Sequence, residues 1–460
     1  MEKIDRSIFR DYDIRGIYGE QLTEELTEAI GRAAGTLFRE AKINEAVVGC
    51  DNRISSPSLS QSLIKGLLST GCNVCDVGLT LTPMVYFSWY GLKADAAIMV
   101  TASHNPARFN GFKVTMKKDI VEGFKIANVI ESGHFEKGQG QIRQADLTKP
   151  YFAEITGKVH LKRSLKVVID AGNGTAGVFA PDLFRQLGCE VLELFCQSDG
   201  NFPNHDPYPQ KVEYYQKLVE LVRQNQADLG IALDGDADRF NVCDEKGNFL
   251  GSDVLIALFA QEILKENPGA KVVVNVVNSQ SVIDFIKKLG GVPIIWKVGY
   301  PNIQRKLRQE NALLGGEISG HLYFADRYFG FDDALYTAVR LAELVASSDQ
   351  KLSQIDSKIS SLLPGYFSTQ EERIDCSDEK KFKIVGEIAG EWKKNFSDVL
   401  DIDGARVQFA DGWGLVRASN TEPRLSIRAE AKTPQRLEEI KHLISQALEP
   451  YRPPVNLVWH

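Results

Sequence analysis

The chain has 460 residues, 43% hydrophobic and 25% charged, and its 54 Lys and Arg against 61 Asp and Glu leave a net charge of −7. That length suggests about three domains of ordinary size, and the acidic balance argues against a nucleic-acid binder drawn by bulk phosphate attraction. No apolar run approaches the ~20 residues of a membrane span, Met1-Glu2-Lys3-Ile4-Asp5 lacks a signal peptide's apolar core, and seven scattered cysteines do not read as a disulfide framework, which together place the chain in the cytosol.

In chain order, Phe9-Arg10-Asp11-Tyr12-Asp13-Ile14-Arg15-Gly16 reads as an ordinary first loop. A helix is expected from about Thr23 to Arg39 and a strand from Ala46 to Gly49. A second helix should be capped by Ser56, with Pro57 at its first position, where a missing N–H costs nothing. Leu63, Leu67 and Leu68 keep its helical spacing. A strand from Asn73 to Val77 takes in half of Cys72-x-x-Cys75, the only close cysteine pair. Inside a strand rather than at a helix start, this pair suits neither redox nor zinc chemistry.

Ala96-Ala97-Ile98-Met99-Val100 is a continuous apolar run, the mark of a strand buried on both faces. It leads into Thr101-Ala102-Ser103-His104-Asn105-Pro106, where proline fixes its own φ and restricts the residue before it, forcing a turn. The Ser103 hydroxyl is thereby presented at the carboxyl end of a buried strand, where ligand sites of open α/β sheets lie. The plainer alternative is a serine that tops a strand beside a loop histidine, and no G-x-S-x-G elbow is present. Lys113, in Asn110-Gly111-Phe112-Lys113-Val114, reads by itself as a solvated strand lysine.

A second unit begins near Tyr151. Its strand Leu165 to Asp170 enters a Gly-rich turn, Ala171 to Gly177, that matches neither G-x-G-x-x-G nor G-x-x-x-x-G-K-[ST] and reads as structural. A helix from Tyr214 to Arg223 and a strand from Leu229 to Leu233 then deliver Asp234-Gly235-Asp236-Ala237-Asp238-Arg239. With Glu245 at position 12 the spacing mimics an EF-hand loop. Arg239, however, stands where that loop needs glycine, and the flanks read as strands. Three carboxylates at alternate positions cannot all sit unpaired at close range. A hard divalent cation answers this, and magnesium suits phosphoryl transfer. Arg239 adds a fixed positive charge for the same phosphate.

The third unit, from Ser252, alternates helices (Asp253 to Lys265, Ser281 to Leu289) with strands (Lys271 to Val276, Val292 to Trp296). Trp296-Lys297-Val298-Gly299-Tyr300 and Gly315-Gly316-Glu317-Ile318-Ser319-Gly320-His321 follow; alone, His321 would be a routine loop histidine. From about Pro364 the rhythm changes to strands with two helices, Lys380 to Trp392 and Pro434 to Leu448. Arg417-Ala418-Ser419-Asn420-Thr421-Glu422-Pro423 leaves a strand and re-enters one at Leu425-Ser426-Ile427-Arg428. It is either a plain hairpin turn or a phosphate cradle of hydroxyl, amide and turn N–H groups beside arginine.

TASHNP and DGDADR together resemble the phosphoserine loop and magnesium loop of the α-D-phosphohexomutase family, which interconverts sugar 1-phosphates and 6-phosphates. YDIRG, NGFK, GEISGH and R-x-S-N-T extend the resemblance over all four quarters of the chain. It implies three similar α/β domains with mixed sheets and a C-terminal α+β domain around a central cleft, divided at 1–150, 151–251, 252–364 and 365–460. It implies a phosphoryl group on Ser103, which joins Asp234, Asp236 and Asp238 in the magnesium site. His104, Lys113, Arg239 and His321 enter the catalytic set, with the hydroxyl proton handled by Lys113 or His321. Tyr12, Arg15, Lys297, Tyr300, Glu317, Ser319, Arg417, Ser419, Asn420, Thr421 and Arg428 fall to the phosphorylated hexose. Tyr300 departs from the family, which commonly has His there. Hexose 1,6-bisphosphate is the implied activator, and a monomer or homodimer without nucleic-acid or membrane partners is expected. GEISGH is closest to the GEMSGH form of the branch acting on both mannose and glucose phosphates; the glucosamine branch typically carries Gln at the position of Ile318. A phosphoglucosamine mutase is the runner-up. Further alternatives are a phosphatase with an aspartyl nucleophile within Asp234 to Asp238 and a non-enzymatic cation-binding scaffold, for which Glu245 speaks.

Overall fold

Four sheets organise the chain in a computed structural model that describes residues 4–420, 422–452 and 455–459. They are distributed over two compact units. The first takes the residues up to Leu250 together with Ser319–Asp356; the second takes Gly251–Ile318 and the residues from Ser357 on.

In the first unit, one sheet runs in the order Ile14–Ile17, Phe109–Met116, Ala96–Val100, Glu45–Cys50, Asn73–Leu79, Ile142–Gln144. Ala96–Val100 is buried at every position, as an apolar run without alternation requires. It lies parallel to Glu45–Cys50 and antiparallel to Phe109–Met116. Helix Glu24–Glu40 begins where Thr23 Oγ1 accepts from Leu26 N–H at 3.2 Å. The next helix, Ser56–Leu68, corrects an expectation: Ser56 is its first residue and not its cap. The Ser56 hydroxyl donates instead to Asp51, so Pro57 falls one position later, still within the first turn. Lys113 is not the solvated strand lysine that its local setting suggests. It is 2% exposed, because its ammonium meets buried carboxylates rather than solvent.

The other sheet of this unit runs Phe240–Asp244, Leu229–Leu233, Lys166–Asp170, Glu190–Leu194, the first strand antiparallel and the rest parallel. The Gly-rich turn after Lys166–Asp170 is structural, as expected. Asn52 Nδ2 donates to Asn173 O at 2.7 Å, and Thr175 N–H donates to Gly235 O at 3.0 Å.

In the second unit, Val292–Trp296, Lys271–Asn275 and Leu314–Gly316 run parallel. An antiparallel sheet built on Ala405–Phe409, Gly412–Ala418 and Arg424–Ala431 carries helices Asp378–Asn395 and Pro434–Leu448 over an apolar core. Polar ties join the two sheets. Glu430 accepts from Gln280 N–H at 2.9 Å and Arg406 Nη1 donates to Val276 O at 2.6 Å, while Trp413 Nε1–H donates to Glu430 at 2.9 Å within the antiparallel sheet.

No helix among the described residues is long and apolar enough to cross a membrane. All seven cysteines are free and buried. Burial pushes the Cys72 thiol up to about 11 and raises that of Cys75, which leaves the pair inert.

Candidate active site

Ser103 follows its buried strand in the left-handed region, at φ +50°. That conformation is costly for a residue with a side chain and persists only where the surroundings over-determine it. Arg53 supplies most of that constraint. Its Nη2 donates to the carbonyls of Ser103 (2.8 Å) and Asn105 (2.6 Å), and Nη1 to those of Pro106 (2.8 Å) and Phe109 (2.9 Å). Nε donates to Asp51 at 3.1 Å, and the guanidinium lies over Phe202. Asp51 in turn accepts from Thr101 Oγ1 at 2.7 Å, and Thr101 Oγ1 accepts from Ser103 N–H at 2.9 Å. The serine loop is thus held from both its carbonyl and its amide sides.

The Ser103 hydroxyl is fully buried and donates to Asp234 Oδ2 at 2.8 Å; His104 Nδ1 lies 3.1 Å from Ser103 Oγ. Gly235 permits this approach, since a Cβ there would stand 2.6 Å from Ser103 O. Burial, with Arg239 and Arg15 nearby, holds the His104 imidazole well below its ordinary range and therefore neutral.

The three aspartates are buried and offer ligand oxygens all within 4.8 Å of one another. Asp236 and Asp238 each turn Oδ1 inward with no hydrogen-bond partner. Buried carboxylate oxygens without donors fit a hard divalent cation, which supplies what the protein does not. Burial and the charges of Asp238 and Asp236 push the Asp234 carboxyl well above its usual range. Burial works against the charge of Asp238 too, but Lys113, His321 and Arg239 overcome it and hold that carboxyl well below. Lys113 Nζ donates to Asp236 Oδ2 at 2.8 Å and to Asp238 Oδ2. Thr82 Oγ1 donates to the same Asp236 oxygen at 2.5 Å. Arg239 Nε is buried, 3.8 Å from Asp238 Oδ1, and donates to no protein acceptor, an arrangement suited to an incoming anion.

His321 Nδ1 lies 2.9 Å from Asp332 Oδ2 and 3.1 Å from Asp238 O. The next residue, Asp333, caps helix Ala334–Ala346, and Ala334 N–H donates to Ala237 O at 3.0 Å. One short segment therefore fixes both the histidine and the metal loop. Arg15 is also placed here, with Nη1 2.5 Å from Asn105 Oδ1 and Nε 2.7 Å from Asp13. Tyr12 is half-buried just ahead of strand Ile14–Ile17, and Ser319 is half-buried beside Gly320. Glu245 accepts from Ser353 N–H (3.2 Å) and Oγ (2.5 Å) near the start of helix Leu352–Leu362 and is not among the carboxylates clustered with Asp234, Asp236 and Asp238.

The second unit carries the remaining candidates. Glu317 is 1% exposed, and its Oε2 accepts from Gly299 N–H (2.8 Å) and Asn275 Nδ2 (3.1 Å). Tyr300 is buried at the start of helix Tyr300–Glu310, while Lys297 is exposed. Arg417 is buried with Nε 2.9 Å from Asp403. Ser419 Oγ accepts from Glu422 N–H at 3.1 Å, Asn420 is half-buried, and Thr421 lies outside the described residues. Arg428 is largely buried. Its guanidinium donates to Val277 O at 2.7 Å and to Glu430 at 3.1 Å, which makes it a tie between sheets. Ile318 is half-buried and packs against Val276, Val277, Trp413 and Leu415.

Arg53, Thr82, Asp332 and Asp403 were missed by sequence reasoning. Nothing local marks them; their roles come from partners distant in the chain.

Models of four phosphoglucomutase/phosphomannomutase domains match the chain in order: alpha/beta/alpha domains I, II and III over residues 6–139, 149–247 and 251–361, and the C-terminal domain over residues 371–447. A phosphomannomutase/phosphoglucomutase of Pseudomonas putida is 40% identical over 454 residues, covering 98% of this chain and 97% of the relative. A phosphoglucomutase of Neisseria gonorrhoeae is 40% identical over 456 residues, with 98% of each chain covered. Among solved structures, a phosphoglucomutase/phosphomannomutase family protein of Burkholderia thailandensis is similar at a TM-score of 0.91 and 37% identity, over 99% of this chain and 100% of that one.

Proposed function

The chain belongs to the phosphoglucomutase/phosphomannomutase family and is a hexose phosphate mutase, and from that premise we propose that Ser103 carries the phosphoryl group it transfers. The observation that carries this reading is the over-determined left-handed Ser103, its buried hydroxyl 2.8 Å from Asp234 beside two more carboxylates. In the first transfer the Oγ–P bond breaks and a bond forms from phosphorus to the free hydroxyl of the hexose phosphate, giving a bisphosphosugar. The bisphosphosugar then turns over; the bond from its other phosphorus to the sugar oxygen breaks and one forms to Ser103 Oγ, whose proton has Asp234 Oδ2 and His104 Nδ1 within reach. Magnesium held by Asp234, Asp236 and Asp238 would neutralise charge on the transferring phosphoryl. Arg239 adds its unsatisfied Nε–H to the same end. We assign the substrate's hydroxyl proton to His321 rather than Lys113, because an ammonium committed to Asp236 and Asp238 is a donor, not an acceptor. In the second unit, Glu317 serves the sugar, and Arg417 with Ser419 and Asn420 serves the phosphate that does not react. We place the enzyme in the cytosol, as a monomer or homodimer, with hexose 1,6-bisphosphate as activator.

A coupled assay with glucose 1-phosphate, run beside a phosphate-release assay, tests the reading: hexose 6-phosphate should accumulate without free phosphate. Asp234→Asn, Asp236→Asn and Asp238→Asn should each weaken magnesium binding in titration calorimetry and slow turnover, since each removes one charge from a cage of three. Unchanged affinity in all three would remove the metal assignment.

Sugar preference follows from the family. We expect kcat/KM for glucose and mannose 1-phosphates to agree within about tenfold, since their difference at carbon 2 is small on the scale a pocket discriminates. Glucosamine 1-phosphate should be the poorest of the three under the same activator. A glucosamine value equal to the others would make phosphoglucosamine mutase the better reading.

A further inference from the structure

Within the second unit, one carboxylate oxygen makes two bonds that join separate parts of the proposed recognition machinery. Asp403 Oδ2 accepts from Arg417 Nε at 2.9 Å and from the backbone N–H of Val298 at 2.8 Å. The pair is largely buried, with the Arg417 and Asp403 side chains 7% and 10% exposed. The next amide in the same turn, Gly299 N–H, is taken by Glu317 Oε2 at 2.8 Å. Two consecutive amides at the mouth of helix Tyr300–Glu310 are therefore held by two carboxylates, one that of Glu317, assigned above to the sugar, and the other that of Asp403, which also takes Arg417.

The local backbone is built for this contact. Gly404, at φ +100°, lets the Asp403 loop press on strand Gly412–Ala418: a Cβ there would stand 2.7 Å from Val416 O and 3.0 Å from Arg417 Cα. Gly299, at φ +111°, makes the turn that aims successive amides at different acceptors. A guanidinium is planar, with its five donors in a fixed fork, so a partner on Nε sets the plane of the whole group. An arginine held in this way loses less freedom when it takes a phosphate.

We propose that Asp403 is the positioning residue that sets the plane of Arg417 for the substrate's non-reacting phosphate and ties that arginine to the Val298–Tyr300 turn. The inference rests on the reading of Arg417 given above. It makes Asp403 a contributor to substrate affinity although it touches no substrate atom, and it makes the phosphate-gripping and sugar-reading residues respond to one shared turn.

The test is a double-mutant cycle on the full-length enzyme, with kcat and KM for glucose 1-phosphate and a melting curve for each variant. Arg417→Ala should raise KM by about tenfold or more, the size expected for loss of a charge-assisted bond. Asp403→Asn should raise KM by about tenfold with kcat within about threefold of wild type, and the double variant should show no higher KM than Arg417→Ala alone. Multiplying effects in the double variant, or a wild-type KM in Asp403→Asn beside a raised KM in Arg417→Ala, would overturn the role of Asp403. A wild-type KM in Arg417→Ala would instead overturn the reading of Arg417 and the inference with it. Asp403→Glu, which keeps the charge but moves the oxygen by one methylene, covers the case in which Asp403→Asn does not fold. It should also raise KM, and a wild-type KM there counts against the proposal.

Discussion

Ser103→Ala is expected to lose about a thousandfold or more in mutase turnover, the scale seen when a covalent nucleophile is removed from a site that otherwise remains assembled. The alanine inherits the same left-handed backbone, because Arg53 grips the loop through carbonyls and not through the side chain. The three carboxylates stay in place, so magnesium should still bind, and the melting temperature should move little. Intact-mass and peptide mass spectrometry should find a phosphoryl group on Ser103 in part of the wild-type population and none in the variant. Undiminished turnover in Ser103→Ala would overturn the assignment of the nucleophile, and a phosphoryl group on another residue would redirect it.

The second large effect is expected at Arg53. Arg53→Ala strips the loop of five hydrogen bonds from one guanidinium, four of them to the carbonyls of Ser103, Asn105, Pro106 and Phe109. It also leaves Asp51 buried without its cation; burial already pushes that carboxyl up, and Arg53 opposes the push. Breaking a buried pair from one side costs about 3–5 kcal/mol, so the melting temperature should fall by several degrees. Turnover should fall further than the folded fraction accounts for, since Ser103 is no longer held at Asp234. Arg53→Lys should not restore it, because an ammonium has three donors on one atom and cannot reach carbonyls on both edges of the fork. A wild-type melting curve with full turnover in Arg53→Ala would show that the loop holds itself.

Some of the chain was legible because its signals are local. The buried strand before Ser103, the helix beginning near Thr23 and the hairpin Gly412–Ala418 to Arg424–Ala431 each follow from short patterns of apolar, polar and turn residues. The aspartate loop was legible for a chemical reason: three carboxylates at alternate positions after a strand have few ways to coexist. Helices Thr82–Gly91 and Ala334–Ala346 were not legible, although they deliver Thr82 and the Asp333 cap. The first is apolar all round and shows no stripe of period 3.6 to read, while the second carries Arg340 and Glu343 among its apolar residues and owes its near-complete burial to tertiary packing.

By itself, then, the sequence determined which residues could do the chemistry: a serine after a buried strand, three alternating aspartates, an arginine in a polar turn. Tertiary structure alone decided what those residues are charged against and who holds them. Lys113 has the local setting of a solvated strand lysine, yet a partner 123 residues away in the chain makes it a buried counter-ion of Asp236. Arg428 and Ile318 sit inside recognisable motifs, yet the first donates to Val277 O and the second packs against the core. Arg53 stands in no motif and orders the serine loop. The physical reason is common to all four: a side chain's charge state and role depend on the field and acceptors within a few ångströms, and in a folded chain those neighbours come from residues far apart in sequence.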